Sequence, residues 1–226
     1  MSFQDKYFNF IDELDFPTSI PCGVEILNPF KVQETYQLSK SFYNKFYDDN
    51  SPRLFLIGIN PGRFGAGVTG VPFTDPIRLE EKCGIDNQLN KRQELSSVFV
   101  YEVIEAFGSV EEFYKKVFFT SVSPLGFVKD GVNLNYYDIP EVRDFLEPHM
   151  VKSLRQQIAI GAIAEIAYSM GKGQNLKYLK YLNAKYDLFK AIEPLPHPRW
   201  VMQYRLKRKG EFIDEYVSKI SSAIKL

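Results

Sequence analysis

The run Leu54-Phe-Leu-Ile-Gly-Ile59 limits the fold more than any other segment. It carries no charge and does not alternate, which suits a strand covered on both faces. It leads directly into Asn60-Pro-Gly-Arg-Phe-Gly-Ala-Gly-Val-Thr-Gly-Val-Pro-Phe73, a loop that opens on one polar side chain. Three further short apolar runs, Val117 to Val122, Ile158 to Ile160 and Leu188 to Ile192, are separated by segments of helical length. The pattern predicts an α/β fold: three layers, α/β/α, around a central, mostly parallel four-stranded sheet. Helical spacing is expected from Phe3 to Leu14, stopped by Pro17, then from Val32 to Tyr47, along Leu95, Val98, Phe99, Val103 and Ile104, from Ala162 to Met170, and from Glu211 to Ile224. Gly171-Lys-Gly173 is expected to divide the long segment after Ala162 into two helices, and Lys177-Tyr-Leu-Lys-Tyr-Leu182 reads as a solvated helix face.

A chain of 226 residues is expected to form a single domain, since it is barely long enough for two separate cores. Cys22 and Cys83 stand far apart with no CxxC pair, which suggests neither a zinc site nor a disulfide framework. With only His149 and His197, a multi-histidine metal centre cannot form. No apolar run reaches bilayer length and the amino terminus lacks export-signal order, so a cytoplasmic monomer away from the membrane is expected. Net charge is zero but unevenly spread. Residues 1 to 50 are acidic, whereas Pro194 to Gly210 holds Arg199, Arg205, Lys207, Arg208 and Lys209 with no acid.

Ligands of an open parallel sheet sit beyond the carboxyl ends of its strands. Asn60, the pair Thr120 and Ser121, and His197 all fall at that edge, in loops remote from one another in sequence. Asn-Pro-Gly alone is an ordinary tight turn. The crowding of Gly62, Gly65, Gly67 and Gly70 behind it argues for backbone that passes close to a ligand. The loop is neither a Walker loop nor GxGxxG. His197 lies between two prolines, which hold it in extended or turn geometry, and His149 reads as a surface or capping residue.

Gly58-Ile-Asn-Pro-Gly-Arg-Phe-Gly with Thr69-Gly-Val-Pro-Phe73 closely resembles the first motif of the single-strand-selective monofunctional uracil-DNA glycosylases. Pro196-His-Pro-Arg199 resembles a shortened form of their second motif, His-Pro-Ser-Pro-Arg. Phe119 to Leu125 and Gly161 extend the resemblance, which spans residues 54 to 200 and is closest to the bacterial branch. It implies cleavage of the N-glycosidic bond of uracil or another deaminated base in single- or double-stranded DNA, without cofactor or metal, leaving an abasic site. Carried over residue by residue, it implies that Asn60 orients water and His197 supports the leaving base. Phe73 would stack on that base, and Gly58, Ile59, Gly62, Phe64, Gly65, Gly70 and Ser121 would line its pocket. Ser121 stands where the family usually has asparagine, which leaves the preferred base open to xanthine, hypoxanthine or oxidised pyrimidines. Arg199 or Trp200 would fill the gap left by the flipped nucleotide, and Arg205, Lys207 and Arg208 would contact phosphates. Two other readings stay open: a non-catalytic DNA-binding member of the fold, and an N-glycosidase for nucleosides or RNA.

Overall fold

The computed structural model describes residues 1–225. In chain order the helices are α1 (Phe3–Asp12), α2 (Gln33–Phe46), α3 (Ala66–Thr69), α4 (Pro76–Glu81), α5 (Leu95–Phe107), α6 (Val110–Tyr114), α7 (Pro140–Gly161), α8 (Gln174–Tyr186), α9 (Pro198–Tyr204) and α10 (Lys209–Ala223). The strands are β1 (Glu25–Leu27), β2 (Arg53–Gly58), β3 (Val117–Ser121), β4 (Gly126–Lys129), β5 (Val132–Leu134), β6 (Ala162–Met170) and β7 (Ala191–Leu195). β2, β3, β6 and β7 form a four-stranded parallel sheet in the order β3-β2-β6-β7.

Every residue of β2 is buried, as a central strand between two helical layers requires. Neighbouring residues of β3 point to opposite layers. Phe118 meets Phe3 of α1, Tyr43 of α2 and Tyr47, whereas Phe119 stacks on Phe113 of α6 and lies 5.3 Å from Phe73. The amino-terminal fifty residues are therefore core, with Tyr7 and Tyr43 stacked at 4.1 Å. They also brace the glycine loop from behind, since the Thr35 hydroxyl donates to the Val68 carbonyl at 2.8 Å and Ser39 to that of Gly70 at 3.3 Å.

Two elements differ from the sequence expectation. Ile158 to Ile160 is the last turn of α7, and the strand is the following segment, Ala162 to Met170, where a helix is expected. In α7, Val151, Leu154, Gln157 and Ile160 recur on a buried helical face, so the short apolar run belongs to a longer periodic pattern. The alanines of Ala162-Ile-Ala-Glu-Ile-Ala-Tyr-Ser-Met170 favour helix intrinsically, but pairing between β2 and β7 overrides that preference. Gly171 to Gly173 thus joins β6 to α8 rather than two helices. On α8 itself, Tyr178, Leu179 and Leu182 are buried, so the Lys177 to Leu182 stretch is a half-buried face rather than a solvated one. The fourth strand lies three residues later than expected, which brings His197 to its end.

A small antiparallel sheet, β1-β4-β5, was not expected at all. Its β4–β5 hairpin turns at Asp130 and Gly131, which have φ of 49° and 73°, the geometry that Asp-Gly supplies in a two-residue hairpin.

Candidate active site

A cavity of about 190 Å³ opens at the carboxyl ends of β2, β3 and β7. Its floor is Gly58, Phe73 and Thr120, with the Phe73 ring so close over Gly58 that a Cβ there would lie 3.3 Å from it. Phe73 has φ of 54°, an unfavourable conformation for an aromatic residue, held by the Thr69 hydroxyl donating to the Thr74 carbonyl at 2.7 Å. Asn60 and Gly62 enter from the loop after β2, Ser121 from the end of β3, His197 and Arg199 from the start of α9, and Glu94, Ser96 and Asn135 complete the lining.

The amide of Asn60 is clamped at both ends. Its Nδ2 donates to the Leu134 carbonyl at 3.0 Å, and its Oδ1 accepts from the Tyr136 backbone N–H at 3.0 Å. These two contacts fix which end is oxygen and which is nitrogen. They come from the end of the β4–β5 hairpin, so the unexpected sheet orients this side chain. Tyr136 is itself anchored through its hydroxyl on Asn175 of α8.

His197 is the N-cap of α9, and its Nδ1 accepts from the Arg199 backbone N–H at 3.2 Å. The ring proton therefore resides on Nε2. Burial, and secondarily the Arg199 charge, lowers its pKa to about 4, so the imidazole is neutral near pH 7. Pro196, just before it, accepts a hydrogen bond from the buried Tyr216 hydroxyl of α10. Ser121 donates its hydroxyl proton to the Ser123 carbonyl at 2.7 Å, leaving only lone pairs for the cavity.

Of the positions proposed from sequence, Gly58, Ile59, Asn60, Gly62, Phe73, Ser121, His197 and Arg199 share this cavity. Others lie outside its wall. Gly70 faces Thr35 and Ser39, and Gly65 is wedged against the Glu94 side chain. Phe64 is on the surface, with Arg63 and Arg92 guanidiniums at 5.0 and 3.9 Å from its ring. Trp200 lines an adjoining cavity of about 380 Å³ that shares Ile59 and His197 with the first. Arg205 covers the Trp200 ring at 4.8 Å, while Arg208 is paired with Glu211 and Lys209 with Glu102. The basic run is therefore less free than its sequence suggests, because two of its charges already have carboxylate partners.

Sequence reading missed Glu94, Ser96, Asn135, Arg63 and Arg92. Arg63 lies inside the Asn-Pro-Gly-Arg motif, whose resemblance assigns it no role; the other four lie in no recognisable motif, and only the fold brings Glu94 and Ser96 into one cavity with Arg199. Among the described residues, no group of three His, Cys, Asp or Glu side chains converges as a metal set, and no helix is long and apolar enough to cross a membrane. A larger groove of about 660 Å³ beside α7 and α8 is a different kind of feature. Its buried acid, Glu147, already accepts from Tyr178, Tyr186 and Lys185.

A parallel sheet whose strand ends gather an amide, a neutral imidazole and a strained aromatic matches a known group of enzymes. The family described as the uracil DNA glycosylase superfamily matches residues 44–221, and the chain belongs to it. The protein is thus a DNA N-glycosylase of base excision repair. It is similar over its full length to the crystal structure of wild-type SMUG2 from Pedobacter heparinus, with 39% identity, a TM-score of 0.95 and 100% of each chain covered.

Proposed function

We propose that the cavity receives a deaminated base flipped out of DNA and that Asn60 and His197 act on its glycosidic bond from two sides. The observation that carries this reading is the neutral, pre-set imidazole that shares one small cavity with a clamped amide. As the bond from C1′ to the base nitrogen breaks, its electron pair moves to the base. The Nε2–H of His197 donates to the base oxygen where that charge gathers, a preorganised interaction typically worth about 3 to 4 kcal/mol. Asn60 holds the water whose oxygen then bonds to C1′. Because an amide cannot take a strong base's share of the proton, bond breaking runs ahead of water attack.

Ser121 supports discrimination between two deaminated bases and their parents. With its proton committed to Ser123, it can only accept. Deamination changes a bare ring nitrogen of cytosine or adenine into an N–H donor, which suits that lone pair, whereas the parent bases present lone pair to lone pair. This favours uracil over cytosine and hypoxanthine over adenine. Phe73 supplies the stacking face for the flipped base. Arg199, Arg63 and Arg92 at the rim, with Trp200, Arg205 and Lys207 on and beyond α9, support contact with the DNA strand.

We infer a monomer working on DNA in the cytoplasm; light scattering on the purified protein tests the monomer. The central experiment compares excision from uracil-containing single-stranded DNA, duplex DNA and free deoxyuridine. Asn60→Ala and His197→Ala are expected to lower single-turnover excision by about 100-fold to 1,000-fold with folding intact. Unchanged rates would remove both from the reaction, and activity on deoxyuridine alone would favour a nucleoside enzyme. Ser121→Asn is expected to alter the ratio of uracil to xanthine excision; a constant ratio would mean that Ser121 does not touch the base.

A further inference from the structure

Among the described residues lining the cavity, Glu94 is the single acid, and it comes from neither motif. It occupies the N-cap position of α5, yet its side chain makes no capping hydrogen bond. The backbone there is held instead by Asp75, whose Oδ2 accepts from the Glu94 N–H at 2.9 Å, while the Asp75 N–H donates to Ser97 Oγ at 3.1 Å. Asp75 is fully buried and also caps α4, so this anchor is rigid. The Glu94 carboxylate is left to lie against the loop after β2. Its contact with Gly65 is close enough that a Cβ at residue 65 would stand 2.1 Å from Oε2.

An acid at the mouth of a DNA-binding cavity repels the phosphates that must approach it, and no packing or capping role requires it here. The reaction has a use for one once the bond to the base has opened. Hydrolysis releases a proton from water and places positive charge on the sugar, and the Asn60 amide can neither accept the first nor balance the second. We propose that Glu94 is a third catalytic residue, the proton acceptor for the attacking water, supplied by α5 because the loop after β2 carries an amide. The proposal rests on the reading that this cavity holds the flipped nucleotide.

The step balances within the cavity. The C1′–N bond breaks with its electron pair passing to the base, the water oxygen bonds to C1′, and the water proton passes to the Glu94 carboxylate. From there it is lost to solvent or to the departing base anion. Before it takes that proton, Glu94 also places a negative charge beside the sugar as it becomes oxocarbenium-like, a preorganised electrostatic stabilisation. Groups that face it from other elements are Asp75 at the start of α4, Arg92 before α5, Arg199 on α9, and His197 across the cavity. Burial and then Asp75 raise its pKa, with Arg199 and Arg92 acting against them, and a carboxylate shifted upward is a better base.

Glu94→Gln keeps the shape and removes the charge. Single-turnover excision of uracil from single-stranded DNA is expected to fall by about 100-fold or more. The wild-type rate is expected to rise with pH as Glu94 ionises, and that acidic limb should vanish in Glu94→Gln and persist, at lower rate, in Glu94→Asp. His197 keeps an Nε2 proton in either charge state, so its titration does not produce the limb. A Glu94→Gln enzyme with wild-type rate overturns the proposal, as does a slowed enzyme that keeps the acidic limb. If Asn60→Ala and His197→Ala are also fully active, the assignment of the cavity itself has failed; if they are inactive while Glu94→Gln is not, only the role of Glu94 has.

Discussion

His197 links the site to stability as well as to chemistry. Its pKa is about 4 in the folded chain, against an ordinary value of 6.5. Between those values the unfolded state binds more protons than the folded one, so stability rises with pH across that window and is lost as pH falls through about 4. Urea denaturation of the wild type is expected to show this acid weakening, and His197→Ala should flatten it; parallel curves would contradict a half-buried, neutral imidazole. Gly65 supplies a second test at a single residue. Its φ of −106° with ψ of −100° lies outside the regions that side chains favour, so glycine there serves the backbone as well as space. Gly65→Ala is expected to push Glu94 aside and slow excision by about tenfold or more, and to lower the melting temperature through backbone strain. A fully active Gly65→Ala enzyme would show that the position of Glu94 does not matter.

At the level of elements, the β4–β5 hairpin decides how Asn60 is presented. Gly131 sits at φ 73°, where a β-branched side chain is strained, so Gly131→Val should cost about 1 to 2 kcal/mol of stability. Loosening the hairpin also loosens the Leu134 and Tyr136 clamps, so excision should fall by about tenfold to a hundredfold while DNA affinity holds. Loss of stability with an unchanged rate would separate the hairpin from the reaction. The hairpin was partly legible, since Asp130-Gly131 is a strong turn signal, but its strands of four and three residues are too short for alternation to stand out. The exchange of helix and strand around Gly161 has another cause. Ala162 to Met170 prefers helix locally and becomes a strand only because β2 and β7 bond to it. By contrast β2, β3, α2 and α10 carry their period in the sequence itself, as each buries one continuous face or both.

The whole molecule has no net charge, so attraction to DNA must come from how charge is distributed. Arg63 and Arg92 flank exposed Phe64, and Arg199 reaches the cavity. If both Arg63 and Arg92 touch phosphates, Arg63→Ala with Arg92→Ala should reduce the salt slope for single-stranded DNA by about 1.4, at about 0.7 per contact. Arg208→Ala should change it little, because Glu211 already pairs with that side chain. A salt slope unaffected by the Arg63 and Arg92 changes would move the DNA path elsewhere.

The sequence by itself determined the buried strand β2, the loop that follows it, the α/β class and the two motif residues Asn60 and His197. These depend on local chemistry: apolar continuity, glycine and proline in order, and an amide and an imidazole in recognisable settings. Only the tertiary structure decided which way the Asn60 amide faces, which nitrogen of His197 carries the proton, that Ser121 can only accept, and that Arg92 and Arg199 both act on Glu94. Those properties arise from hydrogen bonds and burial between segments far apart in the chain, and the residues that make them carry no local signature.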